Sequence, residues 1–230
     1  MEKGWAGFPS SYGLLIMGFK RFVLSACLAI AAIGGLCVQT QAEPRQIVGF
    51  GDSLMAGYGL NAGESFPEKL QSALVAKGHD VVIANAGVSG DTTSGGLARL
   101  DWSVPNGTEI VILELGANDM LRGVAPAIAE KNLDAMVSKL KARGITVLLA
   151  GMYAAPNLGT EYKAAFDGIY PKLAERYALV LYPFFLDGVS GNRALVQVDG
   201  LHPTAAGIDR MVELFLPTME QVLAGAKPAQ

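Results

Sequence analysis

An α/β fold is predicted, with a parallel five-stranded sheet between two helical layers, and three features predict it. Short apolar, β-branched runs recur at intervals of some thirty residues. Each lacks polar alternation, as strands covered on both faces do. Between them lie segments with helical periodicity, and strict alternation of strand and helix implies parallel pairing through right-handed crossovers.

The strands are expected at Gln46 to Phe50, Asp80 to Ala84, Glu109 to Leu115, Ile145 to Gly151 and Leu179 to Pro183. After the first, Ser65-Phe66-Pro67-Glu68 reads as a capping box with proline in the first turn. It leads into Phe66, Leu70, Ala73 and Leu74 and stops at Gly78. A helix over Ala127 to Arg143 should bury Ile128, Leu133, Met136, Val137 and Leu140 before Gly144 ends it. Phe166, Ile169 and Leu173 mark a third helix. The last, Thr204 to Leu223, should be interrupted or kinked at Pro217, which lacks an amide donor.

The segment before the first strand does not belong to this pattern. Lys20 and Arg21 precede the uncharged apolar run Phe22 to Val38, and Thr40-Gln41-Ala42 is a small-x-small cleavage site. Residues 1–42 are therefore expected to be an export signal, with Met17 as an alternative start and residues 1–16 as upstream read-through. An uncleaved membrane anchor is disfavoured by the cleavage site that follows the run. A lipoprotein box at Leu24-Ser25-Ala26-Cys27 has too short an apolar run ahead of it. Residues 43–230 are expected to form a single domain, long enough for a sizeable core, and the product is expected to be periplasmic or secreted.

Cys27 and Cys37 both lie in the signal, so the domain has neither disulfide nor thiol chemistry. Without Lys3, Lys20, Arg21 and Glu2 it keeps 15 basic and 20 acidic side chains, a net charge of −5. That balance, without basic runs, argues against a nucleic-acid partner.

In a three-layer parallel sheet, ligands bind beyond the carboxyl ends of the strands. The loops there hold Gly51-Asp52-Ser53-Leu54, Ser89-Gly90-Asp91 and Gly116-Ala117-Asn118-Asp119, with Asp199-Gly200-Leu201-His202-Pro203 just before the final helix. The first is not a dinucleotide fingerprint, because Leu54 stands where the third glycine belongs, and no Walker glycine-lysine-serine follows. Nor is it the G-x-S-x-G elbow, since Met55 replaces the last glycine. Ser53 could simply cap a helix. The histidines favour chemistry instead. His79 lies in a turn at the opposite, amino end of a strand, whereas the D-x-x-H spacing lets Asp199 hold one ring nitrogen of His202 while the other faces outward. A serine nucleophile needs such a base, and the base needs a group that fixes its tautomer. With strand order 2-1-3-4-5 the fifth strand stands roughly 14 Å from the first, at ~4.8 Å per spacing. Phe184 to His202 can span several times that, at ~3.3 Å per residue. Acyl transfer also needs oxyanion donors, for which the Gly90 amide and the Asn118 side chain are candidates, although Asn118 could equally be a helix cap.

These four blocks, in this order, resemble the SGNH or GDSL-type hydrolases, in particular the thioesterase, lysophospholipase and arylesterase members. Leu121-Arg122-Gly123, Ile169-Tyr170-Pro171-Lys172-Leu173-Ala174 and Pro183-Phe184-Phe185 strengthen the likeness, which extends over nearly the whole of residues 43–230. The resemblance implies a flavodoxin-like α/β/α sandwich and a serine esterase acting on carboxylic esters or thioesters through an acyl-enzyme. Ser53 is the implied nucleophile, His202 the base and Asp199 its partner. The implied oxyanion hole comprises the Ser53 and Gly90 amides and the Asn118 side chain, with neither metal nor cofactor. Met55 departs from the small residue the resemblance leads one to expect, and a bulky neighbour there could narrow the pocket. Met120, Leu121, Tyr153 and Leu158, with Val124 and Met152, are candidates for an apolar acyl site. The expected partner is a small-molecule acyl ester or thioester, with no stable membrane anchoring after signal cleavage, and the protein is expected to act as a monomer. Two alternatives stay open: a carbohydrate O-deacetylase of the same superfamily, and a non-catalytic lipid- or glycan-binding module.

Overall fold

The computed structural model describes residues 1–4 and 43–225, so the export signal expected over residues 1–42 lies almost wholly outside the described residues. Glu43–Gln230 is one compact unit. Its five strands are β1 (Arg45–Gly51), β2 (Val81–Gly87), β3 (Ile110–Glu114), β4 (Thr146–Ala150) and β5 (Val180–Tyr182). All neighbours pair in parallel in the order β2-β1-β3-β4-β5. The connections leaving β1 and β3 run in opposite directions across the sheet. The carboxyl ends of those two strands therefore flank the crevice in which a doubly wound sheet binds ligands.

The strands differ in how completely they are covered. β3 is buried along its whole length, and β1 and β4 nearly so. β2 and β5, expected to be buried on both faces, are edge strands: Val82, Ala84 and Asn85 of β2 are exposed, and only Tyr182 of β5 is buried. A β-branched apolar composition does not tell an edge strand from a central one.

The helices are α1 (Ser53–Ala56), α2 (Phe66–Ala76), α3 (Thr93–Ser103), α4 (Ala117–Leu121), α5 (Pro126–Ala142), α6 (Thr160–Asp167), α7 (Ile169–Tyr177) and α8 (Ala205–Gly225). At α2 the Ser65 amide and hydroxyl both donate to Glu68 Oε2, at 3.1 and 2.6 Å. In α5 the buried face is Ala129, Leu133, Met136, Val137 and Leu140. Ile128, expected on that face, is exposed, because the helix starts at Pro126 and turns Ala129 inward instead. The third expected helix is two, α6 and α7, meeting at Gly168. α8 runs through Pro217 without interruption. Its buried face, including Ile208, Met211, Phe215 and Met219, outweighs the loss of one backbone hydrogen bond. Phe215 joins Phe66 and Phe185 in an edge-to-face cluster, with centroids 4.7 to 6.2 Å apart. No described helix is long and apolar enough to cross a membrane.

Candidate active site

β1 delivers the backbone to the site through Gly51, where a side chain is sterically forbidden: a Cβ would collide with the carboxylate and carbonyl of Glu114 on β3. Asp52, fully buried, then caps α1, its Oδ1 accepting from the Leu54 amide at 3.0 Å. This turn lifts Ser53 into a crevice of about 560 Å³.

His202 reaches Ser53 from the segment ahead of α8. Its Nε2 lies 2.8 Å from Ser53 Oγ and its Nδ1 2.6 Å from Asp199 Oδ2. The tautomer that satisfies both contacts carries the proton on Nδ1 and leaves Nε2 to accept from the serine hydroxyl. Asp199 is itself fixed, since its Oδ1 accepts from the backbone amides of Leu201 (2.9 Å) and His202 (3.0 Å). The hydrogen bond from the His202 ring, followed by that from Leu201, holds the Asp199 carboxyl down to about 2. The expected serine, base and orienting acid are thus in contact, although 149 positions separate Ser53 from His202. His79 stands before β2 at the amino end of the sheet, 3.3 Å from Glu220.

Gly90 and Asn118 line the same crevice as Ser53 and His202. Asn118 follows β3, and its Nδ2 donates to Asp52 Oδ2 at 2.9 Å. The amide nitrogen carries two hydrogens, so one fixes the side chain and the other remains for the crevice. Asp119 turns away from the crevice and ties α4 to α3, accepting from the Thr93 amide (2.7 Å) and hydroxyl (2.6 Å). Arg122 Nη2 donates to the Gly90 carbonyl at 2.7 Å. Arg99, nearly buried, donates to Asp91 (2.6 Å), to the Ala86 carbonyl (2.9 Å) and to the Gly51 carbonyl (2.9 Å). One guanidinium therefore joins the serine loop to the Gly90 loop.

The structure also reveals two buried acids behind the serine turn. Glu114 Oε2 accepts from the Asp52 amide at 3.2 Å, while its Oε1 has no partner among the described residues. Burial, and then the neighbouring Asp52 charge, push the Glu114 carboxyl well above the usual range. Asp52 is pushed up to about 6, chiefly by burial, against the opposing hydrogen bonds from Leu54 and Asn118. A raised carboxyl favours the fold in its protonated form. That contribution is complete below the 3.8 usual for the group and is lost as pH rises through about 6. Asn cannot titrate, so the stability of the parent relative to Asp52→Asn should fall as pH rises from about 3 to 7. Urea unfolding at the two pH values reads this directly, and a constant difference would contradict it.

Apolar side chains make up much of the crevice wall. Met120, Leu121, Met152 and Tyr153 line it as expected. Leu158 does not: it lies in the short 3₁₀ turn Pro156–Leu158 and packs against the core, while Pro156 of the same turn faces the crevice. Val124 is also absent from the wall, its carbonyl accepting from Tyr162 at 2.8 Å. Phe184, stacked on Tyr153 with centroids 4.9 Å apart, and Leu186 complete the apolar side. Met55 is fully buried, with its sulfur turned toward Gly49 of β1, so it fills core volume and does not narrow the pocket. Among the described residues no group of three or more His, Cys, Asp or Glu is placed to hold a metal ion.

Residues 50–210 match the family described as GDSL-like Lipase/Acylhydrolase. The chain is 38% identical over 205 residues to the protein named Esterase TesA of Pseudomonas aeruginosa, covering 89% of this chain and 100% of that one. It is 42% identical over 182 residues to the Arylesterase of Vibrio mimicus, covering 79% and 86%. Among solved structures, AlinE4, an SGNH-hydrolase family esterase, shares 48% identity and a TM-score of 0.68, over 80% of this chain and 99% of its own. The family match begins at the end of β1, ends inside α8 and takes in all four loops of the crevice. The chain belongs to the GDSL-like lipase/acylhydrolase family.

Proposed function

We propose that this protein is a serine esterase that hydrolyses carboxylic esters or thioesters through an acyl-enzyme on Ser53. The observation that carries the reading is the 2.8 Å contact of Ser53 Oγ with a His202 ring whose far nitrogen is held by Asp199. Ser53 attacks the acyl carbonyl, and His202 Nε2 takes the hydroxyl proton. The resulting imidazolium is stabilised by the ionised Asp199. The same proton passes to the leaving alcohol or thiol as the tetrahedral intermediate collapses. Water, deprotonated by His202, then attacks the acyl-enzyme, and as the Ser53 Oγ–acyl bond breaks the imidazolium returns the proton to Oγ and the acid is released.

The developing oxyanion is bound by the Ser53 and Gly90 amides and the free hydrogen of the Asn118 amide. Asp52, by holding the other hydrogen, orients Asn118 before substrate arrives, so the donor need not reorganise during the reaction. Replacing Asn118 with alanine should lower kcat by about 10² to 10³-fold with a smaller change in KM. Steady-state kinetics on an aryl ester measures both, and a kcat within a factor of about two would remove Asn118 from the hole.

Met120, Leu121, Met152, Tyr153 and Phe184 form an acyl site, and this apolar wall favours an aliphatic or aryl acyl ester over an acetylated sugar. Esterase and arylesterase are the names carried by similar proteins. A panel of aryl esters of increasing chain length, run beside acetylated sugars, tests the reading. Turnover of the aryl esters with a burst of one phenol per enzyme is expected. Turnover confined to the sugars would overturn the acyl-site assignment, and no turnover of either would overturn hydrolysis. We further propose that residues 1–42 are an export signal removed after Ala42, leaving residues 43–230 as one domain that acts outside the cytoplasm.

A further inference from the structure

The Ser53–His202 contact joins two loops that share no strand ladder, and its geometry depends on what holds those loops together. One side chain touches both. Gln197 Nε2 donates to the Tyr58 carbonyl at 2.7 Å, five residues beyond Ser53, and to the Pro203 carbonyl at 2.9 Å, next to His202. Both hydrogens of a single amide nitrogen are thereby used, one on each side of the dyad. The Gln197 backbone adds to this: its amide donates to the His202 carbonyl at 2.7 Å and its carbonyl accepts from Gly200 at 2.9 Å. An antiparallel bridge between Val196 and Pro203 closes the same small loop.

The serine side is shaped to receive this amide. Gly59 has φ of +74°, and a Cβ there would collide with Gln197 Oε1. The adjacent Tyr58 ring lies against the His202 imidazole, with centroids 4.5 Å apart. Gln197 itself does not line the crevice.

We infer that Gln197 is a positioning residue, a cross-brace that sets the distance between the nucleophile loop and the base loop without touching substrate. The inference rests on the reading of Ser53 and His202 as nucleophile and base. Because the brace acts on the reacting geometry and not on the acyl site, its loss should appear in kcat and leave KM nearly unchanged. A displacement of about 1 Å between reacting groups costs up to about 10²-fold.

The test uses Gln197→Met, which keeps the length of the side chain but has no donor, and Gln197→Glu, which turns acceptors toward two carbonyls. Gly59→Ala is the third variant, displacing the amide from the other side. Each variant, and Gln197→Met combined with Gly59→Ala, is assayed on a short aryl ester beside Ser53→Ala, with thermal unfolding confirming the fold. Expected are a fall in kcat of about 10 to 10²-fold with KM within about twofold, and a double variant no slower than its slower parent. A folded Gln197→Met with parental kcat, or one in which KM rises while kcat holds, overturns the brace, as does additivity in the double variant. If Gln197→Met does not fold, the kcat-to-KM split of Gly59→Ala decides by the same criterion. Ser53→Ala separates the two claims: its inactivity beside unaffected Gln197 variants removes only the brace, whereas its retained activity removes the nucleophile.

Discussion

Replacing Ser53 with alanine is expected to lower turnover by about 10³ to 10⁶-fold while leaving the fold intact. The size follows from what the hydroxyl does. It provides the nucleophile that divides hydrolysis into two easier steps, and the remaining oxyanion donors and acyl wall cannot replace that bond. The fold should survive because, among the described residues, Ser53 Oγ bonds only to His202, while the turn itself is held by Asp52 capping Leu54 and by the Arg99 bridge to the Gly51 carbonyl. Unfolding transitions of parent and variant should therefore nearly coincide. A variant that keeps more than about a tenth of parental kcat/KM would require another nucleophile.

Replacing Asp199 with asparagine is expected to lower kcat by about 10⁴-fold with little change in KM. The loss is one of tautomer and not of shape. Oδ1 of Asp199 accepts from the amides of Leu201 and His202, so the asparagine oxygen must keep that place. Its NH₂ group then faces His202 Nδ1. The imidazole can accept that hydrogen only by moving its own proton to Nε2, where it meets the serine hydroxyl and can no longer act as a base. Asp199 itself, held down to about 2, stays ionised across the range in which an imidazole titrates, so it adds no step of its own to the pH dependence there. Kinetics on the asparagine variant, with nitrogen NMR of the His202 imidazole to read the tautomer, checks both parts. A loss of less than about tenfold would mean that the carboxylate does not set the proton on His202.

Much of this arrangement is legible before any coordinates. β1, β3 and β4 announce themselves by apolar, β-branched runs without polar alternation, and α2 and α5 by buried stripes at helical spacing. The four loops follow from the rule that ligands meet the carboxyl ends of parallel strands. What is hidden is what depends on partners distant in sequence. α3 is hidden because Gly95 and Gly96 lower its intrinsic helicity, and it is the Thr93 contact with Asp119 of α4 that secures its start. Leu158 has the hydrophobicity of an acyl-site residue, and only the turn at Pro156 decides that it faces the core. Nothing in the sequence sets Asp52 apart within its loop. Its hold on Asn118, and the buried Glu114 beneath it, arise from the β1–β3 register, which pairs Phe50 with Leu113 and so sets the loops after these strands side by side.

The most direct test of the account is covalent labelling by a fluorophosphonate, read by peptide mass spectrometry. One adduct per chain is expected, on Ser53, with labelling nearly abolished when His202 is replaced by alanine. An adduct on another residue, or equal labelling of Ser53 without the imidazole, would contradict the claim that His202 activates this serine.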